Sequence, residues 1–135
     1  KKAAILSEID SEIMKFDKGY DTILGERGVT LSGGQVQRLA IARSFIKDSE
    51  IYLFDDCFSS LDTDTEDRII KNLKNSFKDK TLLIVSHRVS CIKNADSIIV
   101  LENGKIIQEG THDLLIKIEG YYKELYNKQN NEINK

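Results

Sequence analysis

With 135 residues and a formal net charge of −2, the chain has room for one domain or a piece of one. Its 40% apolar content suffices for a packed core, and with no basic block it lacks the footprint of a nucleic-acid surface. No apolar run approaches the roughly 20 residues that span a bilayer, and no signal-peptide pattern opens the chain. Any membrane partner must come from another segment or another chain. Cys57 and Cys91 lie far apart without metal-ligand spacing and read as reduced cytosolic thiols.

In chain order, Ile5, Ile9, Ile13 and Phe16 predict a helix over residues 3–16, ended by Lys18-Gly19. Gly25 to Thr30 reads as a loop. Ser32 is a helix N-cap ahead of Gly33-Gly34 and an apolar stripe of Val36, Leu39, Ala40, Ile41 and Phe45. Ile51 to Phe54 is a short apolar run ending in Asp55-Asp56, expected as a strand buried on both faces. Asp62 or Thr63 caps the next helix, striped by Ile69, Ile70, Leu73 and Phe77. Thr81 to Val85 predicts a second buried strand, followed by Ser86-His87 and a short helix over 89–93. Asn103-Gly104 marks a hairpin turn between two strands. Thr111 caps a helix through Ile118, a last helix holds Tyr121, Tyr122, Leu125 and Tyr126, and the polar end from Lys128 is expected to fray. Strands alternating with helices give an α/β class with a mainly parallel sheet. The chain opens on a helix, and a sheet beginning at Ile51 would lack neighbours, so further sequence upstream is expected.

Three places carry candidate chemistry. Ser32-Gly33-Gly34 at a helix start offers bare backbone N–H groups, a hydroxyl and the positive end of the helix dipole, which together suit a phosphate. Alone it reads rather as a glycine-containing loop capped by Ser32. Asp55, at the C-terminal edge of a parallel strand, faces the usual ligand crevice, where such an Asp holds Mg²⁺ in P-loop enzymes. Asp56 either orients or deprotonates an attacking water or only shapes the loop. His87 follows the second strand and can donate to a γ-phosphate or hold the water, against the plainer reading of a polar surface residue.

Taken together, these segments resemble the ATPase domain of ABC transporters, closest to the exporter type. Leu31, Ser32, Gly33, Gly34 and Gln35 correspond to the family's signature motif. Ile51 to Asp55 is similar to its Walker B strand, Ser60-Leu61-Asp62 to its D-loop, and His87 to its switch histidine. Tyr20-Asp21-Thr22 with Gly25-Glu26-Arg27-Gly28 resembles the exporter stretch before the signature. The tail from Ala95-Asp96 through Gly104, Glu109-Gly110-Thr111-His112 and Leu114-Leu115 follows the same pattern.

The resemblance implies a P-loop NTPase-like ABC ATPase fragment. Residues 1–48 would be helical subdomain and signature helix. Residues 49–135 would carry Walker B, D-loop, switch and the C-terminal part. It implies Mg²⁺ and ATP as ligands, with Asp55 for the metal, Asp56 and His87 for catalysis, and the signature residues and Asp62 at the nucleotide. It implies a second ABC ATPase domain as partner, in a homo- or heterodimer whose sites pair the signature of one subunit with the Walker motifs of the other. Glu26 would lie near transmembrane coupling helices, at the cytoplasmic face of the cell membrane. No nucleic acid is expected.

The sequence departs from the family pattern twice. No G-x-x-x-x-G-K-[ST] occurs, so the loop that cradles the phosphates is missing and the 135 residues alone are expected to be inactive. Asp56 stands where most members have Glu, as in the weakened-base half of a heterodimeric exporter. Two other classes remain open: a soluble ABC-type ATPase of DNA repair or translation, and a non-catalytic interaction module. The exporter-like stretch around Glu26 argues against the first, and nucleotide binding would exclude the second.

Overall fold

A computed structural model describes residues 1–25 and 28–133 of the chain. They form two compact units, Lys1–Val85 and Ser86–Lys135.

The first unit opens with α1 (Lys2–Leu6) and α2 (Asp10–Ile13), where one helix was expected. The break falls at Glu8, whose φ is +58°. Such a left-handed kink is uncommon outside glycine and needs support from its surroundings. Ser7 turns its hydroxyl back to the carbonyls of Ala3 and Ala4. The Glu8 carboxylate accepts from Arg68 Nε at 3.0 Å and Asn72 Nδ2 at 3.1 Å. Both partners stand sixty or more residues along the chain, so helical spacing alone could not reveal the break.

Beyond a 3-10 turn at Gly19–Asp21 comes α3 (Gly33–Ser44). Its buried side is Ile41 and Ala42, with Leu39 half-buried; Val36, expected on the apolar stripe, is exposed. Ala4, Ile9, Ile13 and Ala42 form one small core, flanked by Ala3 and Phe16.

Strands β1 (Ile51–Asp55) and β2 (Thr81–Val85) pair in parallel, with Asp55 opposite Val85, and α4 (Thr63–Ser76) is the crossover between them. One face of β1 turns Tyr52 and Phe54 inward, where they meet Phe45, Phe77 and Phe58; the Tyr52 and Phe77 rings lie 4.8 Å apart. Phe58, Ile69 and Leu73 are almost fully enclosed. Burial of each such side chain is worth about 1.5–3 kcal/mol.

The opposite face departs from the expected two-sided burial. Ile51, Leu53, Leu83 and Val85 are 65%, 63%, 54% and 49% exposed, so no layer of this unit covers that side of the pair. Contiguous exposed apolar side chains favour association. Solutions of the 135-residue polypeptide should therefore self-associate as concentration rises, and Leu53→Lys with Leu83→Lys should reverse this. Sedimentation velocity across a concentration series checks it; a concentration-independent monomer would contradict it.

The second unit contains α5 (Val89–Ile92), an antiparallel hairpin of β3 (Ile98–Glu102) and β4 (Lys105–Gly110), α6 (His112–Leu115) and α7 (Tyr121–Ile133). Asn103 and Gly104 take φ values of +50° and +74°, the pair of left-handed residues that a tight hairpin turn requires. Val89, Ile98, Val100, Leu115 and Tyr122 make its core. α6 is shorter than expected, ending at Leu115. α7 continues past Lys128 as helix, and Gln129 inside it is anchored to the backbone near α5.

Candidate functional site

The N-terminus of α3 is held by four hydrogen bonds. Ser32 Oγ accepts from Gln35 N at 3.3 Å, and Ser32 N donates to Gln35 Oε1 at 2.8 Å, a reciprocal capping box. Ser32 O accepts from Val36 N. Gln35 Nε2 donates to Glu12 Oε2 at 2.6 Å. Helix geometry leaves the amides of Gly33 and Gly34 with no intrahelical acceptor. Ser32 and Gly33 are exposed, so two N–H groups and a hydroxyl are presented at the positive end of a twelve-residue helix.

The other two expected ligand residues of this segment face elsewhere. Both ends of the Gln35 carboxamide are engaged within the chain. Leu31 lines an apolar cavity of about 250 Å³ together with Ile13, Phe16, Leu39 and Ala42.

Glu12 ties this terminus to the body of the unit. Arg38 Nη1 lies 2.6 Å from Glu12 Oε1 and 2.7 Å from the Glu8 carbonyl. Burial pushes the Glu12 carboxyl up, but hydrogen bonds from Gln35 and Arg38 and the Arg38 charge outweigh it and hold the group below its ordinary value. Glu12 is therefore an anion at neutral pH, and both residues it accepts from belong to α3.

Asp55 and Asp56 end β1 at the carboxyl edge of the parallel pair, and both are exposed. Asp56 leaves the strand with φ +47°, its N–H donated to the Val85 carbonyl at 2.9 Å. Asp tolerates that left-handed conformation better than most residues. Cys57 follows; burial, with the Asp56 and Asp55 charges adding to it, pushes its thiol up to about 11. It stays protonated at neutral pH and is a poor nucleophile or metal ligand. Asp55 offers hard carboxylate oxygens, the donor type Mg²⁺ prefers, and accordingly fits that ion.

The following turn carries Ser59 and Ser60 and leads to Asp62, the N-cap of α4. Asp62 Oδ1 accepts from Thr65 N at 2.9 Å, and that bond holds its carboxyl below the usual range. Gln37, on α3, reaches this turn with both ends of its carboxamide. Its Nε2 donates to Ser59 Oγ at 3.0 Å, and its Oε1 accepts from Ser60 N at 2.8 Å. Gly34 meets the same turn from above: a Cβ there would sit 3.1 Å from the Ser60 carbonyl oxygen. A side chain at Gly34 would thus press on the Ser60 carbonyl, which would have to give by a few tenths of an ångström, a packing role that phosphate access alone would not assign. At Gly33 the nearest atom would be 3.7 Å away, an ordinary contact.

His87 belongs to the second unit. It is exposed, and its carbonyl accepts from Gln129 Nε2 at 2.6 Å while Val89 N donates to Gln129 Oε1 at 2.9 Å. The backbone on both sides of Arg88 is thereby held by α7. Gln129 was not picked out from the sequence, and Gln37 stood out only as following the signature motif, with no role of its own. Their partners stand 22 and 42 residues away, and a glutamine on a helix face carries no local signal. The Ser32-x-x-Gln35 spacing does carry one, as a capping box. Glu26 lies outside the described residues. Among the described residues no group of three or more His, Cys, Asp or Glu could hold a metal, and no helix is long and apolar enough to cross a membrane.

With this geometry in hand, comparison with known proteins is specific. A profile of the ABC transporter family matches residues 6–59. The multidrug resistance-like ATP-binding protein MdlA of Buchnera aphidicola subsp. Schizaphis graminum is 50% identical over 131 residues, covering 96% of this chain and 22% of that protein. An ATP-dependent lipid A-core flippase of Desulfotalea psychrophila is 43% identical over 129 residues, covering 96% of this chain and 23% of that one. The solved structure of a bacterial Atm1-family ABC exporter with ATP bound superposes with a TM-score of 0.89 at 40% identity, over 95% of this chain and 23% of the exporter. The chain spans about a fifth of the length of the curated relatives it matches.

Proposed function

We propose, for a chain that belongs to the ABC transporter family and matches the ATP-binding proteins of its exporters, that it binds Mg²⁺–ATP and drives transport as part of a dimeric exporter. The observation that carries this reading is the likeness, across nearly the whole chain, to an exporter solved with ATP bound. In such an assembly the chain would lie at the cytoplasmic face of the membrane, with Glu26 toward the transmembrane coupling helices.

Phosphoryl transfer to water asks a protein mainly for positioning and electrostatics. Asp55 would hold Mg²⁺, which when bound neutralises charge on the phosphate oxygens. Asp56 would orient and accept a proton from the attacking water, and His87 would donate to the γ-phosphate. Ser32, Gly33 and Gly34 would present their hydroxyl and amides to ATP held by the second ATP-binding domain. Gln35 would act from behind, through its capping box and Glu12. Asp62 would keep its turn in register at the dimer contact. With Asp in place of Glu, position 56 would make this the weakened-base half of a heterodimer.

The test is phosphate release by the intact transporter. Asp55→Ala should abolish the turnover of this subunit's own site, measured with the other subunit's base removed. The 135-residue polypeptide alone should release no phosphate, because it has no phosphate-cradling loop and a single helix terminus contributes only about 0.3–2 kcal/mol. Turnover by the isolated polypeptide that vanished with Asp55→Ala would refute the second expectation. Unaltered turnover in the Asp55→Ala transporter would refute the assignment itself.

A further inference from the structure

The contacts of Gln37 join two parts of the site that the reading above assigns to different nucleotides. Gln37 stands on α3, one turn beyond Gly33. Its carboxamide bridges to Ser59 Oγ and Ser60 N, and Ser59 Oγ in turn donates to the Asp56 carbonyl at 3.1 Å. The Asp56 peptide is therefore fixed on both sides. Its N–H goes to Val85 and its carbonyl to Ser59, and between them the backbone holds φ +47°.

We infer that Gln37 is a positioning residue: through Ser59 it sets the orientation of Asp56 according to where the α3 N-terminus sits. This rests on the function proposed above. A second subunit's ATP, capped by Ser32 and Gly33, fixes α3, and α3 through Gln37 fixes the base that serves this subunit's own ATP. The chemistry of the residue suits the task. A carboxamide offers a donor and an acceptor side by side; carboxylate only accepts and ammonium only donates. Asn would fall one methylene short. Removing the bridge leaves Ser59, one of the two anchors of the left-handed Asp56 turn, no longer held from α3, and misplacement of a catalytic group by about 1 Å can cost on the order of 100-fold.

The experiment uses the intact dimeric transporter with the other subunit's base removed, so that turnover reports Asp56. Wild type, Gln37→Leu, Gln37→Glu, Ser59→Ala and the Gln37→Leu/Ser59→Ala double variant are compared, with Asp55→Ala in parallel. Gln37→Leu should lower kcat by about 10- to 100-fold while KM for ATP changes by less than about threefold, since ground-state contacts to nucleotide are untouched. Gln37→Glu keeps the acceptor for Ser60 and loses the donor to Ser59, so its kcat should fall between the two. The double variant should be no slower than the worse single one, because both changes cut the same link.

A merely structural glutamine would lower the thermal midpoint and leave kcat per folded molecule unchanged. That outcome, or additive losses in the double variant, overturns the inference while leaving the proposed function in place. If Gln37→Leu does not fold, Gln37→Glu and Ser59→Ala decide by the same kcat criterion. If Asp55→Ala leaves turnover intact, the proposed function fails and this inference falls with it.

Discussion

Asp56→Glu should raise ATP turnover at this subunit's own site, read as phosphate release by the intact transporter with the other subunit's base removed. The added methylene carries the carboxylate toward the attacking water, and a positioned general base contributes about 10²–10⁴-fold. The backbone sets a limit on the gain. Asp56 sits at φ +47°, a conformation Asp accepts more readily than Glu. Its two anchors, to the Val85 carbonyl and from Ser59 Oγ, are made by main-chain atoms and survive the substitution. The expected result is a gain of at least tenfold, toward the lower end of that range. Equal or lower turnover at saturating ATP would show that position 56 does not supply the base.

The second large effect concerns the opposite site. Ser32→Arg should strongly lower wild-type turnover, because a bulky side chain would cover the α3 terminus that caps the other subunit's γ-phosphate. It would also remove the Ser32 cap, at a cost of about 1 kcal/mol. In the background where the other subunit's base is gone and Asp56→Glu restores turnover, Ser32→Arg should matter little, since the site it serves is already silent. Gly34→Asp should behave differently. Its Cβ would press on the Ser60 carbonyl from 3.1 Å, so it disturbs the turn beside this subunit's own carboxylates as well. It should therefore depress both wild-type and rescued activity, whereas Gly33→Asp, whose Cβ would make only an ordinary 3.7 Å contact, should follow Ser32→Arg. Phosphate release across these combinations separates the cases. Equal loss of rescued activity in Ser32→Arg and Gly34→Asp would contradict the cross-subunit assignment, provided nucleotide-dependent dimerisation is intact.

Features written in a few consecutive residues were legible in the sequence. Ser32 and Asp62 do cap their helices, and Asn103-Gly104 does turn a hairpin, because each rests on bonds or dihedrals within four positions. Features that depend on distant partners were not. The kink at Glu8 needs Arg68 and Asn72, and the hold on the Gln35 carboxamide nitrogen needs Glu12. The apolar runs Ile51–Phe54 and Thr81–Val85 were rightly placed as strands, but their composition says nothing about how many layers stand against them. Gly34 shows the same limit from the other direction. Its place in a phosphate-binding pattern was readable, while the Ser60 carbonyl packed against it was not.

The bond pair from Gln129 makes the loop after β2 a reporter of the helix–coil equilibrium of α7. A polar helix of thirteen residues is marginal in water on its own, so its last turns open at low free energy compared with the rest of the unit. Each time the helix melts back past Gln129, the His87 carbonyl and the Val89 amide lose their partner in the same event. Backbone freedom at residues 87–89 is thereby coupled to a segment 42 positions away. Warming, or a tag that weakens the chain's last turns, would then act on His87 without touching any residue near it.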